Sequence, residues 1–339
     1  MATYTDNNYG DINQQQGVYA EAKMLEHAAP ILVLSKFGDV KPMPKNKSDN
    51  INWRRPQTIP NATTPLTEGV TPTGSTFDYD IVAATLAEYG DWFPLTNKVT
   101  DLHEHPVGSD LAMMAGEQAA STIEEITWGI IRGGTSRELA NGSTRSDVNT
   151  ELSLSLVRKA VKTLKRNKAK RINKVLDGSP KYSTRPVEAS YVALCHTDAE
   201  YQVRNLAGFI STAEYGQRTL MCEEEFGAVE NIRFITSPDL TVFADAGGAK
   251  GSGAAELMST TGTSADVYPI LIIGANAFGT VALKGQGAIK PRVKNPGVAD
   301  SSDPMGRFGS VSWMTWYTAK ILNDDWMIRI EVAAKVTPT

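Results

Sequence analysis

The sequence predicts an α+β fold, on the strength of three patterns in its 339 residues. Residues 306–335 alternate apolar and polar side chains with a period of two, which is typical of half-buried strands. Residues 110–132 repeat apolar side chains at helical spacing. Between residues 191 and 283, short apolar runs are interrupted by a helical segment. Because the predicted C-terminal strands come last, their sheet partners must be distant in sequence.

The composition is that of a globular protein, with 41% hydrophobic and 21% charged residues. A net charge of −4 gives no overall signature of nucleic-acid or membrane binding, and no apolar run reaches the roughly 18 residues of a membrane span. The first residues lack the basic start and apolar core of a secretory signal. Cys195 and Cys222 match no metal-site spacing and are interpreted as free thiols made in a reducing cytoplasm.

The N-terminal third combines a polar arm with a proline-punctuated segment. Residues 1–36 are interpreted as an arm, with a short helical pattern over residues 18–29. Residues 37–98 hold few large apolar side chains at first and become strand-like from 77 to 95. Forty residues without a core pattern are too many for an ordinary connection. We therefore expect a long two-stranded excursion that leaves the body, returns, and needs a neighbour to pack on.

Two helices are predicted next. The first spans residues 110–132, about 35 Å long, with Ser109 as its cap and Asp110 in its first turn. Small residues on it allow a sheet or second helix to approach closely: Ala112, Ala115, Gly116, Ala119 and Ala120. The second spans residues 153–176 and holds nine basic residues with no acid among them: Arg158, Lys159, Lys162, Lys165, Arg166, Lys168, Lys170, Arg171 and Lys174. A nucleic-acid site is one interpretation, but a solvated or salt-bridging helix face is the more common outcome.

The remaining chain is predicted to be mixed helix and strand. Strands are expected at residues 191–194, 232–236, 240–243, 268–275 and 279–283, with a helix at 198–206. Residues 246–266 are small or polar and are predicted to be a mobile loop, and residues 285–305 a second connection. The last two strands are predicted to form a hairpin turning at residues 323–325.

Catalytic signals are weak throughout. His103-Glu104-His105 lacks the spacing that places two histidines on one helical face, and Cys195-His196 are neighbours that point to opposite sides of a strand. The GGAKGSG segment lacks the Lys-Ser/Thr pair of a phosphate loop, and Glu223-Glu224-Glu225 is interpreted as a solvated charge run. We therefore predict no catalytic site, no metal and no cofactor.

Four segments resemble a known family: WRRPQTIPNATTPLTEGVTP at 53–72, YVALCHTDAEYQVRNL at 191–206, FGAVENIRFITSPDL at 226–240, and FGSVSWMTWYTAKILNDDWMIRIE at 308–331. Together they are similar to the major capsid (coat) proteins of tailed bacteriophages, within the group of the coat protein of phage N-four. The resemblance covers nearly the whole chain and implies the Hong Kong 97-type capsid fold.

The resemblance also implies a division of the chain. Residues 1–36 would be the N-terminal arm, and residues 37–98 the extended loop that lies across a neighbouring subunit. Residues 99–135 would be the peripheral domain with its long spine helix, and residues 136–300 the axial domain. Residues 301–339 would return to complete the peripheral domain.

The implied function is self-assembly as pentamers and hexamers into an icosahedral shell around double-stranded DNA. A separate scaffold protein and a portal are expected partners, with non-specific contact to the DNA and none to a membrane. The sequence leaves open whether the shell also takes a decoration protein. The expected location is the virion capsid, assembled in the bacterial host cytoplasm. For the subunit interface we hypothesise that Trp53, Arg54 and Arg55 anchor the loop on a neighbour. A second hypothesis pairs the basic helix with an acidic patch: Arg158, Lys162 and Lys165 with Glu223, Glu224 and Glu225.

Three other functions are alternatives to this one. An encapsulin-like shell around an enzyme cargo shares the fold, and the packaged contents would distinguish it. A cytoplasmic α/β enzyme with residues 246–266 as a lid would need a set of convergent polar residues, which the sequence does not supply. A tail protein or adhesin would be expected to show repeats or an all-β pattern, and neither is present.

Overall fold

The computed structural model describes residues 31–43, 48–57, 59, 61–71, 73–102, 107–176, 184–216, 218–253, 256–281, 289–297, 299 and 303–337. The helices are α1 Asn97–Leu102, α2 Val107–Ile131, α3 Leu154–Arg166 and α4 Glu200–Arg204. The strands are β1 Asp39–Lys41, β2 Asn50–Pro56, β3 Tyr79–Thr85, β4 Ala87–Thr96, β5 Arg137–Leu139, β6 Ile172–Leu176, β7 Thr184–Cys195, β8 Phe209–Ser211, β9 Glu225–Val229, β10 Ile232–Thr236, β11 Val267–Ile273, β12 Phe278–Val281, β13 Lys290–Lys294, β14 Phe308–Tyr317, β15 Ala319–Ile321 and β16 Met327–Ala333.

The largest sheet has eight strands in the order β5-β16-β11-β7-β10-β9-β8, with β6 paired to β7. Alternate residues of its central strands enter two separate cores. On one face, Ala193 and Ile270 pack with α3 and α4, and on the other, Leu194 and Ile273 pack with the C-terminal end of α2. Burial on both faces explains why β11 is a continuous apolar run in the sequence.

A second layer joins α2 to the three-stranded sheet β13-β14-β4. The small side chains predicted to permit close approach, such as Ala115 and Ala119, are fully buried in this core. Polar contacts fix the register: the indole Nε1 of Trp313 donates to Gln118 Oε1 at 2.9 Å, and the hydroxyls of Tyr317 and Thr127 lie 2.8 Å apart. The helix is thus held along the sheet from its middle to its C-terminal end.

The proline-rich segment forms an antiparallel ribbon of β2 and β3, which confirms the predicted two-stranded pairing. The strand-like stretch at 77–95 is however two strands, because β4 leaves the ribbon after Leu86 and pairs along its full length with β14. A small sheet of β1, β12 and β15 lies next to the ribbon. The ribbon therefore joins the body at a sheet whose strands come from three distant parts of the chain.

The long helices differ from their predictions in opposite ways. Helix α2 begins at Val107, so Ser109 lies inside its first turn and does not precede it, while Asp110 is in the first turn as expected. Helix α3 ends at Arg166, ten residues earlier than predicted. Lys168 adopts a positive φ of 55°, which ends the helix, and residues 172–176 then pair with β7. Sheet pairing has overridden the apolar and basic helical pattern there.

The predicted terminal hairpin is wrong, although both strands exist. β14 pairs with β13 and β4, whereas β16 pairs with β11 and β5 in the large sheet. A short 3₁₀ helix, Asp324–Trp326, occupies the predicted turn. The partners are distant in sequence, as predicted, but the two strands belong to different layers.

Three smaller expectations also change. Residues 240–243 form no strand beyond one bridge from Phe243 to Val267. The predicted loop over 246–266 is fixed at several points, since Leu257 bridges to Lys335 and Ala265 is fully buried. The connection over 285–305 contains β13.

Two predicted features, the helical pattern at 18–29 and the triplet His103-Glu104-His105, lie outside the described residues. No helix in the described part of the chain is long and apolar enough to cross a membrane.

Candidate interaction surfaces

Trp53, predicted to anchor the loop on a neighbouring subunit, is buried in its own chain. Its side chain is only 3% exposed and packs with Ile51, Ala84 and Leu86 in the core beneath the ribbon. The indole lies against Gly279 of β12 so closely that a Cβ there would be 2.6 Å from the ring. The predicted role therefore needs a correction, because Trp53 fixes the base of the ribbon to its own body.

Arg54 and Arg55 are exposed on the same strand. Arg55 forms an ion pair with Asp80 across the ribbon at 2.8 Å, and hydrogen bonds from Gln57 and Arg55 lower the pKa of Asp80. Both arginines line a groove of about 780 Å³ between the ribbon and the body, whose lining also includes Lys168 and Lys170. Their role in subunit contacts stays a prediction, and Arg54 is the more available of the two.

Beyond Pro56 the loop exposes large apolar side chains. Those on the loop and the outer half of the ribbon are Ile59, Leu66, Val70, Phe77, Tyr79 and Ile81, with exposed fractions from 46% to 77%. At the start of β3, the rings of Phe77 and Tyr79 contact each other edge to face, with 4.6 Å between their centroids. Exposed apolar side chains gathered on one segment are typical of a surface that binds another molecule.

The basic segment splits into two structural parts. Arg158, Lys162 and Lys165 lie on the exposed face of α3, whereas Lys168 and the later basic residues follow the end of the helix. Arg158 pairs with Glu230 at 2.7 Å and Lys159 with Glu138 at 2.5 Å. The salt-bridging interpretation thus holds for Arg158 and Lys159, the first two basic residues of this face. Lys162 and Lys165 remain exposed.

The acidic triplet is not a solvated charge run. Glu225 is buried, where it accepts hydrogen bonds from the Tyr215 hydroxyl at 2.8 Å and the Met221 amide at 2.6 Å. Arg233 lies 3.4 Å from the same carboxylate. Glu224 pairs with Lys36 at 3.4 Å, so only Glu223 is left exposed. The pairing hypothesised between α3 and this triplet therefore keeps only Glu223 as an available acidic partner.

Two buried carboxylates that sequence reasoning missed hold the layers together. Glu124 of α2 is 1% exposed and accepts hydrogen bonds from the backbone amides of Val33 and Leu34 at 2.9–3.0 Å. Burial raises its pKa to about 8, and the nearby Asp239 adds to that shift while Lys36 opposes it. The sequence contains a signal for this burial, because Glu124 lies at helical spacing between Ala120 and Thr127, on the buried face of α2.

The second carboxylate is Glu331 of β16. It accepts hydrogen bonds from Arg145 at 2.7 and 2.8 Å and from Arg329 at 2.8 Å. Burial alone would raise its pKa, but the Arg145 hydrogen bond and both guanidinium charges lower it below its usual value. Arg329 also donates to the carbonyls of Arg132 and Gly134, just after α2. This cluster locks the end of the long helix to the large sheet.

The two thiols are buried and unpaired with each other, as predicted. Burial raises the pKa of Cys195 far above its usual range and that of Cys222 to about 12, so neither forms a thiolate readily. Among the described residues no group of three or more His, Cys, Asp or Glu side chains has the geometry of a metal site.

Comparisons with known proteins agree with this architecture. A family model described as phage capsid protein matches residues 79–326. The fold is similar to the capsid of Ralstonia phage GP4, with a TM-score of 0.62, 13% identity and coverage of 90% of this chain and 92% of that one. It is also similar to the capsid of cyanophage P-SCSP1u, with a TM-score of 0.58, 14% identity and coverage of 90% and 89%.

A third similar structure is the mature capsid of bacteriophage PhiM1, with a TM-score of 0.54, 11% identity and coverage of 89% of this chain and 87% of that one. No curated protein sequence matches the chain. The identities are low enough that the structural likeness speaks for the fold, while the family match spans most of the sequence. The chain belongs to the phage capsid protein family, and it is a major capsid protein of Hong Kong 97-type fold that forms the icosahedral shell of the virion.

Proposed function

We propose that copies of this chain close into pentamers and hexamers that tile the shell around the double-stranded DNA of a tailed phage of the N-four-like group. The observation that supports this most directly is the extended loop. Its base packs into its own chain through Trp53, while Leu66, 77% exposed, and Phe77 lie beyond that core. A loop of this kind gains a core only when another subunit supplies one.

The mechanism is association, with no chemical step. Burying an apolar side chain of this size contributes about 1.5–3 kcal/mol, so a few loop residues per contact suffice when many contacts act together. Arg54 and Arg55 extend the contact with charge, as typical interface residues do. We infer that the chain has no catalytic activity and needs no cofactor.

We also propose the division of the chain that the resemblance implies. Residues 1–36 act as an arm, residues 37–98 as the extended loop, and residues 99–135 with 301–339 as the peripheral domain. Residues 136–300 form the axial domain around the five- and six-fold centres. In support, the large sheet lies mostly within 136–300, and α2 packs on β14 and β4. Strand β13 at 290–294 pairs with β14, so the peripheral layer borrows one strand from that range.

We further propose that assembly occurs in the bacterial host cytoplasm with a separate scaffold protein, and that the shell takes a portal. Electron microscopy of the protein expressed with and without neighbouring phage genes tests the proposal. Closed shells tens of nanometres across that fill with DNA are the expected result. Subunits that stay monomeric beside the scaffold would refute it, and shells filled with an enzyme cargo would favour the encapsulin-like alternative.

A further inference from the structure

The exposed face of α3 concentrates positive charge. At 100° per residue, its five basic side chains fall within about a third of the helix circumference. They are Arg158, Lys159, Lys162, Lys165 and Arg166, and all five are exposed. Ser155 is the one other exposed residue of the helix. The described face therefore presents five cations over a length of about 12 Å, with one hydroxyl a turn before them.

The charge on this face is only partly balanced by the chain itself. Glu230 and Glu138 pair with Arg158 and Lys159, at the N-terminal end of the face. In the part of the chain that the structure describes, no carboxylate lies within ion-pair distance of Lys162, Lys165 or Arg166. Two of the five cations on this face are paired, so three have no carboxylate partner among the described residues. Lys168, exposed in the turn that follows, adds a fourth just past the helix end.

The chemistry of this face favours a polyanion over a protein surface. The apolar residues of α3, such as Val157, Val161 and Leu164, are buried in the chain's own core. Protein interfaces depend on a few desolvated aromatic or apolar anchors, and this face offers none. Flexible lysine ammonium groups bind phosphates as point charges, and contacts to phosphates carry no sequence information.

We propose that this face of α3 binds the phosphate backbone of double-stranded DNA without sequence preference. The proposal rests on the proposed function, which supplies the packaged genome as the DNA. It replaces the pairing between α3 and the acidic triplet, because Glu225 is buried and Glu224 is engaged by Lys36. The positive charge for DNA binding is local to this face, since the net charge of the whole chain is −4.

The test is a DNA-binding titration of the full-length, unassembled subunit with a short mixed-sequence duplex at a series of salt concentrations. The test variant combines Lys162→Gln, Lys165→Gln and Arg166→Gln. The matched control removes three exposed charges elsewhere, in Lys98→Gln, Arg307→Gln and Lys320→Gln. The slope of log affinity against log salt should become shallower by about 0.9 for each phosphate that the variant no longer neutralises, hence by about 2.7 for three.

The control variant should keep the wild-type slope. Equal slopes for the wild type and test variant would overturn the proposal, and so would an equal change in the control, since bulk charge would then explain the binding. Loss of assembly with unchanged DNA binding would assign the face to a protein partner and would also overturn it. Shell formation is scored separately by electron microscopy, so a wild type that forms no shells would refute the proposed function without altering the titration.

A second readout uses the particles themselves. Lysine acylation of DNA-filled particles should spare Lys162 and Lys165 and should reach both after the DNA has been released. Lys98 and Lys320 should react equally in the two states. Equal reactivity of Lys162 and Lys165 before and after release would contradict DNA binding by this face.

Discussion

The contact between Trp53 and Gly279 fixes the base of the ribbon, and its strength can be measured with a pair of substitutions. Gly279 lies in β12, where an added Cβ would be 2.6–2.9 Å from three atoms of the indole ring. Real Cβ atoms do not approach that closely, so Gly279→Ala must push the indole away. Trp53→Ala instead leaves a cavity where the ring was.

Each single change has an expected cost. Truncating a buried aromatic side chain to alanine lowers the free energy of unfolding by about 3–5 kcal/mol, and Trp53 is buried almost completely. Overpacking by one methyl group costs about 1–3 kcal/mol. In the double variant the new methyl group enters the space that the indole vacated. The combined cost should therefore fall below the sum of the singles by about 1–3 kcal/mol.

The assay is urea unfolding of the unassembled subunit for the wild type, both singles and the double variant. Gly74→Ala is the matched glycine control, because nothing lies within 4 Å of a Cβ added there and its φ is not positive. Partial proteolysis of the ribbon in each variant reports whether the base has opened. Strictly additive costs would refute the contact, as would a Gly279→Ala variant no less stable than the Gly74→Ala control.

Three further predictions follow from the charged groups. Because the folded pKa of Glu124 is raised, the native state holds a proton that the unfolded chain has lost. The free energy of unfolding should therefore fall as pH rises from about 4.5 to 8, by up to about 1.4 kcal/mol per pH unit. The Glu124→Gln variant, unfolded across the same pH range, should lack that slope. Glu331→Gln should lower the free energy of unfolding by about 3–5 kcal/mol, since it removes the negative charge that pairs with the buried Arg329 and with Arg145. Denaturant unfolding of the subunit measures this loss. The double variant Arg54→Gln with Arg55→Gln should reduce the thermal stability of assembled particles. It should change the free energy of unfolding of the subunit by less than about 1 kcal/mol, because the ion pair of Arg55 with Asp80 is exposed. A less stable subunit that forms particles of unchanged thermal stability would refute an interface role.

Features governed by local periodicity could be predicted from the sequence. The small residues on one face of α2 and the apolar run of β11 each reflect the local packing of that element. The sequence therefore predicts correctly that the first is a helix and the second a strand. Strand β10 was predicted to the residue. The two-stranded ribbon was also visible, since Ile51 and Trp53 alternate with polar neighbours.

What periodicity could not predict is which strand pairs with which. β14 and β16 both alternate and are separated by a plausible turn, yet they pair in different sheets. Likewise, the apolar positions of residues 172–176 fit a helix until their pairing with β7 is known. Alternation shows that one face is buried and does not identify the partner, because register depends on contacts that are distant in sequence.

The ribbon itself shows where the subunit's own core ends. Along β2, Ile51 and Trp53 point inward, and from Arg54 onward every described residue of the strand is exposed. The change coincides with the small sheet of β1, β12 and β15, whose Gly279 lies against the indole of Trp53. The apolar residues beyond this point, including Leu66 and Val70, are exposed within the chain. An apolar loop without a core of its own is stable in a shell only if a neighbouring subunit covers it, so folding of the ribbon base and assembly of the shell should depend on different residues of one strand.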